Sequence, residues 1–295
     1  MRASSLLLVA ATALFAVPAL AQPIVNGTKV GDTYGTAAAY QLTETGFGDN
    51  MSELDAAYCD IVNDRLYLLL TGNIEGNFNK IEIFIDSKAG GENVLSGVPG
   101  NDGAFRMAGM GFDAGFEADY HLIARRGNSF GDRFDLDFAQ LGTPSFSSYG
   151  DLFGGGQVGV GATGVGLNAQ PIQVAYNNSN VGGVVGGSGP ANALAALAVD
   201  TGLELSIALG DLGYTGGEIR VCAFVNNQNH DYASNQFLGP LAPPQGNMGG
   251  DGTGAFTGVI NFNLANFPGN QYFSCGERAV PATQSTWGRI KTSYR

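Results

Sequence analysis

Polar and apolar residues alternate with a period of two along much of this chain. In KIEIFIDS, residues 80 to 87, Ile81, Ile83 and Ile85 fall on one side while Glu82, Phe84 and Asp86 fall on the other. Successive side chains of a strand point to opposite faces, so the stretch predicts a strand with an Ile face toward a core. GLELSIALGDLG places Leu203, Leu205, Ile207 and Leu209 on one face, and EIRVCAFVN does the same with Ile219, Val221, Ala223 and Val225. RFDLDFAQL sets Phe134, Leu136 and Phe138 against Asp135 and Asp137. Each of these predicts a half-buried strand. DRLYLLLTGN, residues 64 to 73, is apolar almost throughout and predicts a central strand covered on both sides.

Turn residues separate these runs. The chain has 46 glycines, roughly double the usual frequency of about 7%. The longest turn-rich region, residues 142 to 189, holds QPIQVAYNN as its clear strand, and GPANALAALAV at 189 to 199 predicts a short helix. Many short strands without alternating helices predict an all-β chain. The expected architecture is an antiparallel β-sandwich or jelly-roll-like fold, with long Gly-rich loops.

Domain limits follow from the two ends. Arg2, the apolar run SLLLVAATALFAVPAL and Ala19-Leu20-Ala21 have the order of an export signal, so residues 1–21 are expected to be a signal peptide. Residues 22–276 then form a single β-sandwich domain. Residues 277–295 carry Arg278, Arg289, Lys291 and Arg295 against Glu277, together with the sole tryptophan, Trp287. They read as a basic C-terminal tail for sorting or docking, because exposed aromatic-plus-basic segments serve as binding elements. No later segment approaches the ~20 consecutive apolar residues of a membrane span, so none is expected after signal cleavage. Secretion or display at the cell surface is the expected location.

Charge narrows the partners. Lys and Arg number 14 against 26 Asp and Glu, a net charge of -12, which disfavours nucleic acid. Cys59, Cys222 and Cys275 allow one disulfide in any of three pairings, with one thiol left over. Their isolation, without a CxxC pair, argues against zinc.

Candidate chemistry is sparse. His121 sits among apolar neighbours in a predicted strand and reads as structural; His230 lies in the polar loop NNQNHDYASNQ. Neither accompanies a GxSxG elbow or a recognisable carboxylate pair, so no enzyme is expected, and a glycoside hydrolase ranks last among the readings. Asn229, His230, Asp231, Tyr232 and Asn235 form the candidate ligand-binding set. For a hard cation, Asp86, Glu92 and Asp102 are the candidate metal ligands, with calcium the cofactor such oxygens would take. GFGDNMSELD supplies Asp49, Asn50, Glu53 and Asp55 as further oxygen donors.

AAYCDIVNDRLYLLLTGN, KIEIFIDS, ADYHLIARR and TGLELSIALGDLGYTGGEIRVCAFVNNQ occur in that order. The succession resembles the sandwich superfamily of family-9 carbohydrate-binding modules and DOMON domains, over roughly residues 54 to 228. GFGDN, RMAGMGFDAGFEADYHL and NHDYASNQFLG are similar to stretches in a group of exported bacterial proteins, many with C-terminal sorting tags. The resemblance implies a non-catalytic module binding an extracellular glycan or other surface ligand. In such modules aromatic side chains, often Trp, stack on a sugar. With no Trp in the body, Tyr149, Tyr232 or Phe237 would have to serve. The alternative is a structural or adhesive component docked on a cell-envelope partner through the tail.

Overall fold

The computed structural model describes residues 21–128 and 131–277. The expected signal peptide and basic tail lie outside the described residues, apart from Ala21 and Glu277.

Among the described residues thirteen strands form two antiparallel sheets, so the all-β sandwich expected from the alternation is the observed fold. The first sheet contains β1 (Ala39–Tyr40), β2 (Glu53–Val62), β3 (Arg65–Asn73), β8 (Val158–Ala162), β9 (Gln173–Asn177) and β10 (Gly202–Ala208). Their order is β1-β2-β3-β10-β9-β8. The second contains β4 (Asn77–Asp86), β5 (Tyr120–Asn128), β6 (Asp132–Gln140), β7 (Phe146–Tyr149), β11 (Ile219–Asn226), β12 (Ala233–Leu238) and β13 (Phe273–Cys275). It runs β12-β11-β4-β5-β6-β7, with β13 also paired to β11. Strands β7 and β8 lie inside the Gly-rich stretch read as turns. The predicted helix is α1 (Ala193–Ala198), capped by the Asn192 side chain, which accepts from the Leu194 and Ala195 amides. Among the described residues no helix is long and apolar enough to cross a membrane.

The period-two faces meet between the sheets. Ile81, Ile83 and Ile85 pack with Leu66, Leu68, Leu70, Leu203, Leu205, Ile207, Val221 and Val225. Each such side chain contributes about 1.5–3 kcal/mol by leaving water. The opposite face of the second sheet is not solvated, which departs from the half-buried expectation. Phe84, Ile123, Cys222 and Phe224 pack there with Met107, Met110, Phe112, Phe116, Phe237, Ile260 and Phe262 in a second core. Loops 87–119 and 239–272 fold over this face and cover it. Polar residues on the same phase are therefore taken out of water as well.

Cys59 of β2 is bonded to Cys275 of β13, a covalent tie between the sheets across 216 residues of sequence. Cys222 is the free, buried thiol. At the start of the first sheet the β2–β3 register shifts between Leu54 and Ala56. Opposite this bulge Gly72 has φ 140°, and a Cβ there would fall 2.2 Å from the Glu53 carbonyl oxygen, so only glycine fits.

Candidate functional site

The outer face of the second sheet collects the charged residues. On β4 the alternation turns Lys80, Glu82 and Phe84 outward; on β5 their cross-strand partners are Arg125, Ile123 and His121. Asp135 and Asp137 of β6 lie opposite Arg125 and Ile123, and Asn226 of β11 lies opposite Lys80. Two loops complete the group. Asp102 (φ 55°) and His230 (φ 59°) both take left-handed backbone, a turn geometry open to short polar side chains, and bring their side chains over β4.

Glu82 is the centre. It is fully buried, with Oε2 2.8 Å from His121 Nε2 and Oε1 2.6 Å from His230 Nδ1. Asn226 donates to the same Oε1 at 3.0 Å. His230 Nε2 is 3.2 Å from Asp102 Oδ2. Lys80 Nζ reaches that oxygen at 2.8 Å and Arg125 at 3.5 Å. Arg125 also meets Asp137 at 3.0 Å and Asp135 at 3.7 Å, Arg133 meets Asp135 at 3.2 Å, and Asn101 donates to Asp137 at 2.9 Å.

The electrostatics follow from the pairing. Burial alone would raise the Glu82 carboxyl, yet His230 and His121 outweigh it and hold the group well below the usual carboxylate range. Burial works against Asp102 too, but His230, Arg125 and Lys80 bring it down to about 2. For His230, burial disfavours the cation, while Glu82 and Asp102 prevail and push its pKa up. Both ring nitrogens face carboxylate oxygens, and both donate only in the imidazolium form. With His230 charged, Lys80, Arg125, Arg133 and His230 balance Glu82, Asp102, Asp135 and Asp137.

Above this network opens a cleft of about 350 Å³ lined by Phe78, Lys80, Asp102, Arg125, Arg133, Gln228 and Asn229. Phe78 is at a β4 bulge with φ 67°, a genuine outlier for a bulky side chain. Its ring lies over Gly127, where a Cβ would fall 2.1 Å from the ring, and the Arg133 guanidinium sits 5.6 Å from its centroid. Strand pairing and packing thus hold the ring in a strained position at the mouth of a polar cleft.

The residues expected to bind ligand occupy different positions. Asn229 lines the cleft, and His230 lies beneath it, fully buried. Asp231 is buried, accepts from Asn227 at 2.6 Å and lies 3.6 Å from Arg106. Tyr232 donates its hydroxyl to the Gly254 carbonyl. Asn235 is fully buried and clamps loops by donating to the Glu44 and Gln245 carbonyls. Of the expected aromatic platforms, Phe237 is fully buried against Phe224, and Tyr149 is bonded to Asn168.

The three expected metal ligands are separately engaged. Asp86 lies 3.6 Å from Arg220 on a second open groove and accepts from the Glu117 amide. Glu92 accepts from the Ser96 amide, and Asp102 belongs to the network above. Among the described residues no three His, Cys, Asp or Glu side chains form a group that could hold a metal ion.

Sequence reasoning missed Phe78, Lys80, Arg125 and Arg133. The two cations Lys80 and Arg125 share the outward phase of Glu82 and His121, a signal present in the alternation. Phe78 carries none, since its conformation arises from the bulge. No protein-family model, curated protein or solved structure matches the chain.

Proposed function

We propose that this protein is an exported, non-catalytic binding module whose Phe78 cleft takes a neutral sugar residue of an extracellular glycan. The observation that carries the reading is Phe78, a bulky residue kept in a left-handed conformation with its ring at the edge of a polar cleft. An aromatic ring beside paired donors and acceptors is the recurring chemistry of sugar recognition, the ring meeting C–H faces and the polar groups meeting hydroxyls.

Charge balance favours a neutral ligand. Each cation of the lining already faces a carboxylate, so an anionic sugar would have to displace an internal partner, whereas a hydroxyl adds a hydrogen bond without disturbing the ion pairs. Export agrees with the N-terminal segment and with a disulfide, which persists in oxidising compartments. Glu82 is sealed by His121, His230 and Asn226, leaving it no access to a substrate.

Retention on immobilised neutral and uronic-acid polysaccharides tests the proposal. The expected result is retardation on a neutral polysaccharide, lost in Phe78→Ala. Failure to bind any polysaccharide, or binding indifferent to Phe78→Ala, overturns it. Cell retention lost on deleting residues 277–295 without any glycan binding favours the envelope-docking reading instead.

A further inference from the structure

On the other sheet, buried acids have been left without a cation. Glu53 and Asp55 of β2 are both fully buried. Glu53 accepts from the Asn50 amide at 3.1 Å and from the Asn180 side chain at 3.2 Å. Asp55 accepts through Oδ1 from the Val184 amide at 2.9 Å, while its Oδ2 is buried and has no partner. A Cβ on Gly183 would fall 2.2 Å from an Asp55 oxygen, so the loop backbone passes directly over this carboxylate. Loop 178–187 thus rests on both acids.

The segments that carry and cover these acids supply no positive charge. Residues 30–64 contain no Lys or Arg, and neither does the stretch between Arg133 and Arg220 that provides the covering loop. The charged groups acting on Asp55 are Glu53 and Asp49, and Asp49 also acts on Glu53. Taking an ionised carboxylate out of water is expensive unless it is paired or bound to a metal. Neutral oxygens are at hand: the Asn73 side-chain oxygen accepts from Asn180, whose own oxygen turns back to the Gly182 amide.

We propose that Glu53 and Asp55, with neutral oxygens of Asn73 and loop 178–187, bind a calcium ion that fastens this loop to the first sheet. Calcium takes six to eight oxygen ligands with flexible geometry, so two carboxylates completed by amide oxygens, backbone carbonyls and water suffice. The unpartnered Asp55 oxygen, fully out of water and beneath the loop, is the observation pointing to a ligand rather than to a mere collection of acids. Asp49 lies close enough to add attraction. Burial, with Glu53 and then Asp49 pressing in the same direction, pushes Asp55 up to about 9 in the metal-free protein, as expected of a carboxylate lacking its counter-ion.

The site is independent of the Phe78 cleft. Its test is calorimetric titration of chelator-treated protein with calcium chloride, alongside thermal melts with calcium or magnesium. One saturable calcium site and a Tm rise of several degrees at roughly millimolar calcium are expected, with little response to magnesium. Asp55→Asn should fold, because the amide oxygen can still accept from the Val184 amide and the side chain cannot ionise, and it should weaken calcium binding at least tenfold. Asp86→Asn should leave binding unchanged. No calcium binding by the wild-type chain, or wild-type affinity in Asp55→Asn, overturns the proposal.

Discussion

The outer faces of the two sheets handle buried charge in opposite ways. Over β4 and β5, Glu82 is enclosed by His121, His230 and Asn226, and Asp102 is shared among His230, Lys80 and Arg125. Over β2, Glu53 and Asp55 are as deeply buried, yet they face each other and Asp49 with no base between them. Burial exacts a similar desolvation cost at both places. On the second sheet the chain supplies its own counter-charges and each carboxylate meets a base; on the first it supplies amides only and one carboxylate oxygen stays unpartnered. A closed network serves as a rigid floor for a cleft, whereas an open one is a place for an ion.

The comparison breaks most sharply at Glu82. Glu82→Gln leaves the imidazolium of His230 and its neighbours without their central anion, and removing one partner of a buried pair costs about 3–5 kcal/mol. Urea unfolding at pH 7 should show a loss of that size, part of it recovered in Glu82→Gln/His230→Gln. A loss below about 1 kcal/mol, the range of exposed ion pairs, would mean the network is not closed.

The acids of the first sheet should respond with the opposite sign. Their folded pKa values, about 9 for Asp55 and about 7 for Glu53, lie above the ordinary carboxylate range. The folded protein therefore binds more protons than the unfolded chain between these limits, and metal-free stability falls as pH rises from about 5 to 8. Glu82 and Asp102, held low, contribute stability that is lost only as pH falls below the ordinary carboxylate range. His230 contributes below its ordinary pKa and loses that contribution as pH rises through its raised value. Asp55→Asn should flatten the metal-free Tm slope between pH 5 and 8 and raise the Tm at pH 8. An unchanged slope would show that this pair is not the source.

Much of this fold is legible in the strand pattern. Alternation alone puts Lys80, Glu82 and Phe84 on one side of β4, whereas Glu53 and Asp55, beside the β2 register shift, read only as oxygen donors. It does not reveal what covers a side, since an acid at an outward position reads as solvated until a loop crosses it. Loops 87–119, 178–187 and 239–272 decide the matter, and their paths depend on contacts far apart in sequence. His230 shows the difficulty well: its polar loop reads as a ligand-binding surface, yet a left-handed turn and two carboxylates draw the ring wholly inside. Asp86 shows the converse, a strand-end acid whose partners, Arg220 and the Glu117 amide, arrive from other segments.

The smallest expected effect separates the rigid floor from the group that meets a ligand. Phe78 is held at φ 67° by its surroundings, a conformation costing about 1–3 kcal/mol for a bulky residue, and glycine adopts it freely. Phe78→Gly relieves that cost but loses the ring's contacts over Gly127, so the two nearly cancel and stability should shift by less than about 1 kcal/mol. Glycan retention should nonetheless disappear. Gly127→Ala works from the opposite side: its Cβ would fall 2.1 Å from the ring, forcing Phe78 to move and weakening retention while the Glu82 network stays intact. If Phe78→Gly instead destabilises the protein by several kcal/mol, the ring is a core element, and the left-handed turn is structural rather than a device for presenting an aromatic face.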